Sequence, residues 1–183
     1  MTKQSLLASI VSVLAASGGA LLVHEPGALA LDLGGLAGKA ANAAGSSARD
    51  KAVKDVNAKL LAEGRKNQCS FKTDSDELAP GCDAKVKKLA NTLVDVKKRL
   101  KVAGVTSYKF EVSGHTDSSG KAAHNKELSG KRAAVMVREL VAKGISPGEI
   151  ASIGMGSDRP LVTPDDTPAK KAKNRRYEIQ VRF

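Results

Sequence analysis

Between Ser107 and Lys143 an alternating strand turns directly into a long amphipathic helix, a unit that calls for a sheet covered by helices. Tyr108, Phe110 and Val112 alternate with Lys109, Glu111 and Ser113, the period of a half-buried strand running from Ser107 to Ser113. The helix is expected from about Lys121 to Lys143, with Ala133, Met136, Val137, Leu140 and Val141 on one apolar face. Asn125, Leu128 and Arg132 recur at helical spacing and form one stripe along it. Asp117 lies in the turn that enters the helix and can face that stripe. A carboxylate set opposite a guanidinium, with an amide between them, suits a zwitterion. Asp117 would take an ammonium and Arg132 would fork onto a carboxylate.

Other segments fill in a sandwich around this unit. Val86, Leu89, Leu93, Val96 and Leu100 recur at helical spacing, predicting a first long helix over Asp83 to Val102 that Gly104 ends. A strand is expected near Cys69 to Thr73, another over Ile150 to Met155, and a closing one where Tyr177, Ile179, Val181 and Phe183 alternate. Pro160 to Lys173 reads as a polar loop. The order predicts an α+β, two-layer sandwich: a βαβαββ-type mixed four-stranded sheet with two long helices on one face. Ahead of it, residues 31–65 read as a Gly- and Ala-rich flexible linker followed by a short amphipathic helix. That helix, Arg49 to Glu63, carries Val53, Val56, Leu60 and Leu61 and stops at Gly64.

Four spaced motifs give residues 66–183 a family likeness. They are Gly114-His115-Thr116-Asp117, Asn125 with Leu128-Ser129 and Arg132-Ala133, Gly154-Met155-Gly156 with Pro160, and Asn174-Arg175-Arg176. In that order they resemble the OmpA-like peptidoglycan-binding domain. The resemblance implies non-covalent binding of peptidoglycan through the diaminopimelate of its stem peptide. It implies that Asp117 and Arg132 grip that amino acid, with Thr116, Asn125 and Leu128 lining the pocket. One position departs from the pattern. Where the family has Phe-Asp this chain has Phe71-Lys72, so either Asp74 substitutes or that contact is lost. Arg175 and Arg176 point to opposite faces of a regular strand, so one of them can reach the pocket, and Arg176 is the candidate.

The N-terminus has the outline of an export signal over residues 1–30: Lys3, an apolar stretch from Leu6 to Ala16, and Ala28-Leu29-Ala30 as a cleavage site. Ser5 to Val23 carries no charge, so an uncut, membrane-anchored wall tether is the alternative. Either form places the domain in the periplasm or cell envelope, next to peptidoglycan and with the outer membrane as the expected associate. The N-terminal segment is the expected contact for an envelope protein. Cys69 and Cys82, the only cysteines, then read as one disulfide in an oxidising compartment, two buried thiols being the alternative.

The net charge of +11 among 183 residues favours acidic partners: nucleic acid, anionic lipid headgroups or a polyanionic wall. Aromatics are only 3% and do not interleave with basic residues, which argues against a nucleic-acid groove. An enzyme is not expected. His115 near Asp117 invites a general-base reading with Ser113 or Ser118 as nucleophile, but no third orienting group can be named. No cofactor is implied, and His24 and His124 are too isolated for a metal site.

Overall fold

The computed structural model describes residues 33–183, with side-chain surroundings from residue 45 onward. The export-signal outline and the choice between cleavage and retention fall outside those residues. In chain order the elements are α1 (Leu33–Lys66), α2 (Asp83–Val102), β1 (Lys109–His115), α3 (Ala122–Ala142), a short 3-10 turn at Pro147–Glu149, β2 (Ile150–Gly156), α4 (Pro168–Asn174) and β3 (Arg176–Arg182).

β1 is the centre of the sheet. It runs parallel to β2, with Phe110 opposite Ile150, and antiparallel to β3, with Lys109 opposite Arg182. Alternation decides the faces. Phe110, Val112, Ile179 and Val181 point into the core under α2 and α3 and are almost fully buried. The opposite face carries Lys109, Glu111, Gln180 and Arg182 and meets solvent, with an ion pair of 3.2 Å between Arg182 and Glu111.

α2 and α3 close in the same way. Val105 N–H donates to Leu100 O at 2.8 Å and Gly104 N–H to Lys101 O at 3.0 Å, with Gly104 at φ +72°. At the end of α3, Ile145 bonds Leu140 and Gly144 bonds Val141, with Gly144 at φ +98°. Each is a Schellman closure that needs a left-handed residue and buries the apolar residue after it. Val105 and Ile145 are indeed both core residues.

The sheet has three strands, not the expected four. Within the proposed first strand only Phe71 makes a bridge, to Leu78. The edge of β3 that this strand would occupy is taken by α1. Asn57 accepts from Val181 N–H at 2.7 Å and donates to Val181 O at 3.5 Å. Gln68, just past α1, accepts from Tyr177 N–H at 3.2 Å and donates to Tyr177 O at 2.8 Å. Each side-chain amide meets one residue's N–H and C=O, as a neighbouring strand would, so the outward backbone groups of Tyr177 and Val181 are satisfied without one.

α1 also corrects the linker reading. The helix begins at Leu33, through the Gly- and Ala-rich stretch, and passes Gly64 to end at Lys66. Val56 and Leu60 anchor it in the core. Within the Pro160 to Lys173 stretch expected as loop, α4 begins at Pro168, with that proline in its first turn and Thr167 accepting from Lys170 N–H.

Cys69 and Cys82 are buried thiols rather than the expected disulfide. The Cys69 sulfur faces the Cys82 carbonyl oxygen at 3.9 Å. Burial, then the Cys82 thiol beside it, pushes the Cys69 pKa up to about 12, which keeps it in the protonated, unreactive form. No described helix is long and apolar enough to cross a membrane.

Candidate functional site: a cleft at the carboxyl end of the central strand

A cleft of about 1210 Å³ opens where β1 ends, walled by the 69–74 segment, the first turns of α3 and the start of β3. Every pocket residue proposed from the sequence lines it: Thr116, Asp117, Asn125, Leu128, Arg132, Asp74 and Arg176.

The turn that presents Asp117 is heavily constrained. Asn125 donates to Ser119 O at 2.8 Å and Asp117 O at 3.4 Å, tying the turn to α3. On the other side Asp165 accepts from the Ser118 N–H at 2.9 Å and from the Ser118 hydroxyl. Asn174 donates to Asp165 at 2.9 Å and accepts from Leu161 and Val162 N–H at 2.8 and 3.1 Å. Residues far apart in sequence thus converge to fix one carboxylate. Asp117 itself is largely buried and binds Arg175 Nη1 at 2.7 Å through Oδ2 and the Ser119 N–H at 3.0 Å through Oδ1. Burial opposes its ionisation, but these hydrogen bonds outweigh burial and hold the carboxyl below its usual range.

Arg132 comes from the same stripe of α3 as Asn125 and Leu128. Its Nε donates to Ser75 O at 2.8 Å and its Nη2 to Lys72 O at 3.2 Å, with the guanidinium 5.2 Å from the centre of the Phe71 ring. Arg132 has no carboxylate partner among the described residues. Burial lowers its pKa, and Asp74 pulls the other way.

Some placements differ from expectation. Asp74 is in the cleft wall but pairs with His124 at 2.7 Å, and Lys72 turns to Glu77. Arg176 is spent on Glu178 at 2.7 Å and on the carbonyls of Asn174 and Arg159. The arginine that reaches Asp117 is Arg175. Arg175 caps α4 just before β3, and both arginines line the cleft.

The general-base reading finds no support in the geometry. Ser113 Oγ is 3.2 Å from His115 Nε2, and Glu178 approaches that same nitrogen at 3.9 Å. His115 Nδ1, where an orienting acid would belong, is buried without a partner. Desolvation, then the charge of Arg176, brings its pKa down to about 4. Ser118 is held by Asp165. Among the described residues no cluster of three or more His, Cys, Asp or Glu could hold a metal ion.

The OmpA family model matches residues 70–175, which contain most of the residues lining the cleft. The chain belongs to the OmpA family. It is 36% identical over 111 residues to outer membrane porin F of Pseudomonas fluorescens, covering 61% of this chain and 31% of that one. It is 38% identical over 93 residues to the peptidoglycan-binding protein ArfA of Mycobacterium tuberculosis, covering 51% and 27%. The chain therefore spans about a third or less of these relatives' length. The crystal structure of the peptidoglycan-associated lipoprotein from Burkholderia pseudomallei superposes with a TM-score of 0.51 at 22% identity, over 63% of this chain and 89% of that one. That likeness is one of fold. Within the OmpA family, this chain's Asn174-Arg175-Arg176 run divides its work three ways: Asn174 pins the loop, Arg175 meets Asp117, and Arg176 meets Glu178.

Proposed function

We propose that the protein is a non-enzymatic tether of the cell envelope that binds peptidoglycan non-covalently through the diaminopimelate of the stem peptide. The observation that carries this reading is the state of Asp117. It is a buried, ionised carboxylate that already grips a cation, in the same cleft as an arginine with no carboxylate of its own. An amino acid presenting an ammonium and a carboxylate satisfies both at once. The ammonium replaces Arg175 on Asp117, and the carboxylate receives the fork of Arg132. Arg175 is about half exposed and free to swing outward. The orphaned hydroxyl of Thr116, buried in the cleft wall, supplies a further hydrogen bond to the ligand. Relatives named for peptidoglycan and for the outer membrane support an envelope location, outside the cytoplasm. The N-terminal segment is the region that would engage an envelope partner.

Co-sedimentation of the full chain with purified sacculi tests the reading. Wild type should pellet, and Asp117→Ala and Arg132→Ala should stay in solution with unchanged circular dichroism. Soluble diaminopimelate should release the wild type. Equal pelleting of all three proteins would refute the assignment of the cleft. Solubilised muropeptides would refute a purely binding role.

A further inference from the structure

The diaminopimelate head uses only part of the cleft. The volume of about 1210 Å³ exceeds the roughly 300–1,000 Å³ of sites for drug-sized molecules, so one amino acid leaves most of it open. Six cationic side chains line it against the carboxylates of Asp74 and Asp117, a surplus that a zwitterion does not neutralise. Lys72 pairs with Glu77, Arg175 with Asp117 and Arg176 with Glu178, while Arg132 has its role above. Arg65 and Lys173 remain. Both are exposed, and neither has an ion pair or a side-chain hydrogen bond among the described residues. The other acids nearby in sequence are taken, Glu63 by Lys66 at 3.0 Å and Asp166 by Lys170 at 2.7 Å.

The two cations come from separate helices that both end at the start of β3. Arg65 is in the last turn of α1. Just beyond it, Gln68 donates to Gly64 O at 2.9 Å and to Tyr177 O at 2.8 Å, which holds that helix end against the strand. Lys173 is in the last turn of α4, where Asn174 accepts from Leu161 N–H at 2.8 Å. Leu161 is 45% exposed and lines the cleft together with Ala172. A cation in a last turn complements the helix dipole, which accounts for each of the two singly. It does not account for two helix ends delivering unpartnered cations to one cleft. Arg65 also precedes residue 70, where the family match begins, so this part of the wall comes from the chain's own α1.

We propose that Arg65 and Lys173 form a second subsite of the cleft, which takes a free carboxylate of the stem peptide outside the diaminopimelate head. The proposal deepens the function given above and rests on it. Two carboxylates flank that head along the stem: the α-carboxylate of the D-glutamate before it and the terminal carboxylate of the D-alanine after it. Amidation removes the first and cross-linking the second. A cleft with this subsite therefore selects stems that keep their negative charge, and Leu161 and Ala172 give their methyl groups an apolar surface.

Calorimetric titration of the full chain tests this with free diaminopimelate and with the tetrapeptide L-Ala-γ-D-Glu-diaminopimelyl-D-Ala. Wild type should bind the tetrapeptide more tightly. Arg65→Gln combined with Lys173→Gln should weaken tetrapeptide binding by about tenfold, from about two- to fivefold per exposed ion pair, and leave diaminopimelate binding unchanged. Lys98→Gln with Lys101→Gln removes the same charge from α2, outside the cleft, and should change neither. Tetrapeptides amidated at the D-glutamate or at the terminal D-alanine identify the source, since the one that lacks the bound carboxylate should bind both wild type and the Arg65–Lys173 variant equally. Insensitivity to both amides, an undiminished tetrapeptide affinity in that variant, or an equal loss in the α2 variant overturns the subsite while leaving the diaminopimelate grip intact. Binding of neither ligand by wild type overturns the grip, and the subsite with it.

Discussion

Gly114 and Gly154, on adjacent strands, allow α3 to lie directly on the sheet, and their replacement is the sharpest test of how the cleft is built. A methyl group at Gly114 would fall on the Ser129 carbonyl oxygen, with the carbonyl carbon at 2.9 Å. At Gly154 it would fall on the Lys126 carbonyl oxygen, with Gly130 N at 2.6 Å. Comfortable carbon contacts begin near about 3.5 Å, so α3 would have to retreat by about 1 Å or more. The atoms in the way are backbone, which no rotamer change can clear. Gly114→Ala should therefore cost about 3 kcal/mol, the upper part of the range for overpacking. For a folded unit of this size that lowers the melting temperature by about 6–12 °C. Gly130, on the helix side of the same contact, behaves oppositely. Its added methyl lies 3.7 Å from the Gly154 Cα and N, an ordinary contact. Removing a glycine from a helix interior then leaves a gain of about 0.5–1 kcal/mol. Thermal and urea denaturation followed by circular dichroism read both signs. If Gly114→Ala melts within about 2 °C of wild type, or Gly130→Ala is destabilised as much as Gly114→Ala, close helix–sheet approach is not what these glycines provide.

Three further outcomes are expected. His115 holds its proton with a pKa of about 4 in the fold against 6.5 when unfolded, so between these values the unfolded chain binds the extra proton. Stability should fall as pH drops through that window and His115→Gln should flatten the fall, as urea midpoints measured across it will show; parallel slopes would contradict this. Arg175→Gln removes the cation now on Asp117 and should tighten binding of free diaminopimelate by calorimetry, whereas weaker binding would mean that Arg175 touches the ligand. Oxidative refolding that joins Cys69 to Cys82 closes the segment whose carbonyls hold Arg132, and should add about 3 kcal/mol to stability over the reduced chain; identical melting of the two forms would contradict it.

Where periodicity and punctuation agree, the sequence reads directly. α2 was legible from Asp83 to Val102 because its apolar residues recur at helical spacing and a glycine follows. β1 began two residues later than its alternation suggested, because Tyr108 packs edge-on to Phe110 without joining the ladder. That Asp117 and Arg132 line one cleft was legible because a short strand-to-helix turn links them. Arg175 was not, since it lies 58 residues from Asp117 and only the register of β3 brings it there. The missing fourth strand has a similar cause. The Phe71 segment has strand-like composition, but composition cannot reveal that Asn57 and Gln68 already occupy the edge. The start of α1 was misread because glycine weighs as a breaker, while the alanines around it favour helix.

The amide pairing along β3 has a consequence for how the protein can be cut. The family match begins at residue 70, after both amides and after the whole of α1. A fragment that begins there and keeps the rest of the chain, β3 included, would retain the cleft residues proposed from the sequence and lose what shields the strand beside it. The bared edge, with Tyr177 and Val181 offering unpaired N–H and C=O groups, is a template for the same edge on another molecule. Such a fragment should assemble through its sheets at concentrations where the longer chain stays monodisperse. The stretch that the family pattern matches is thus shorter than the folded unit, and the two amides of Asn57 and Gln68 are part of what lies outside it.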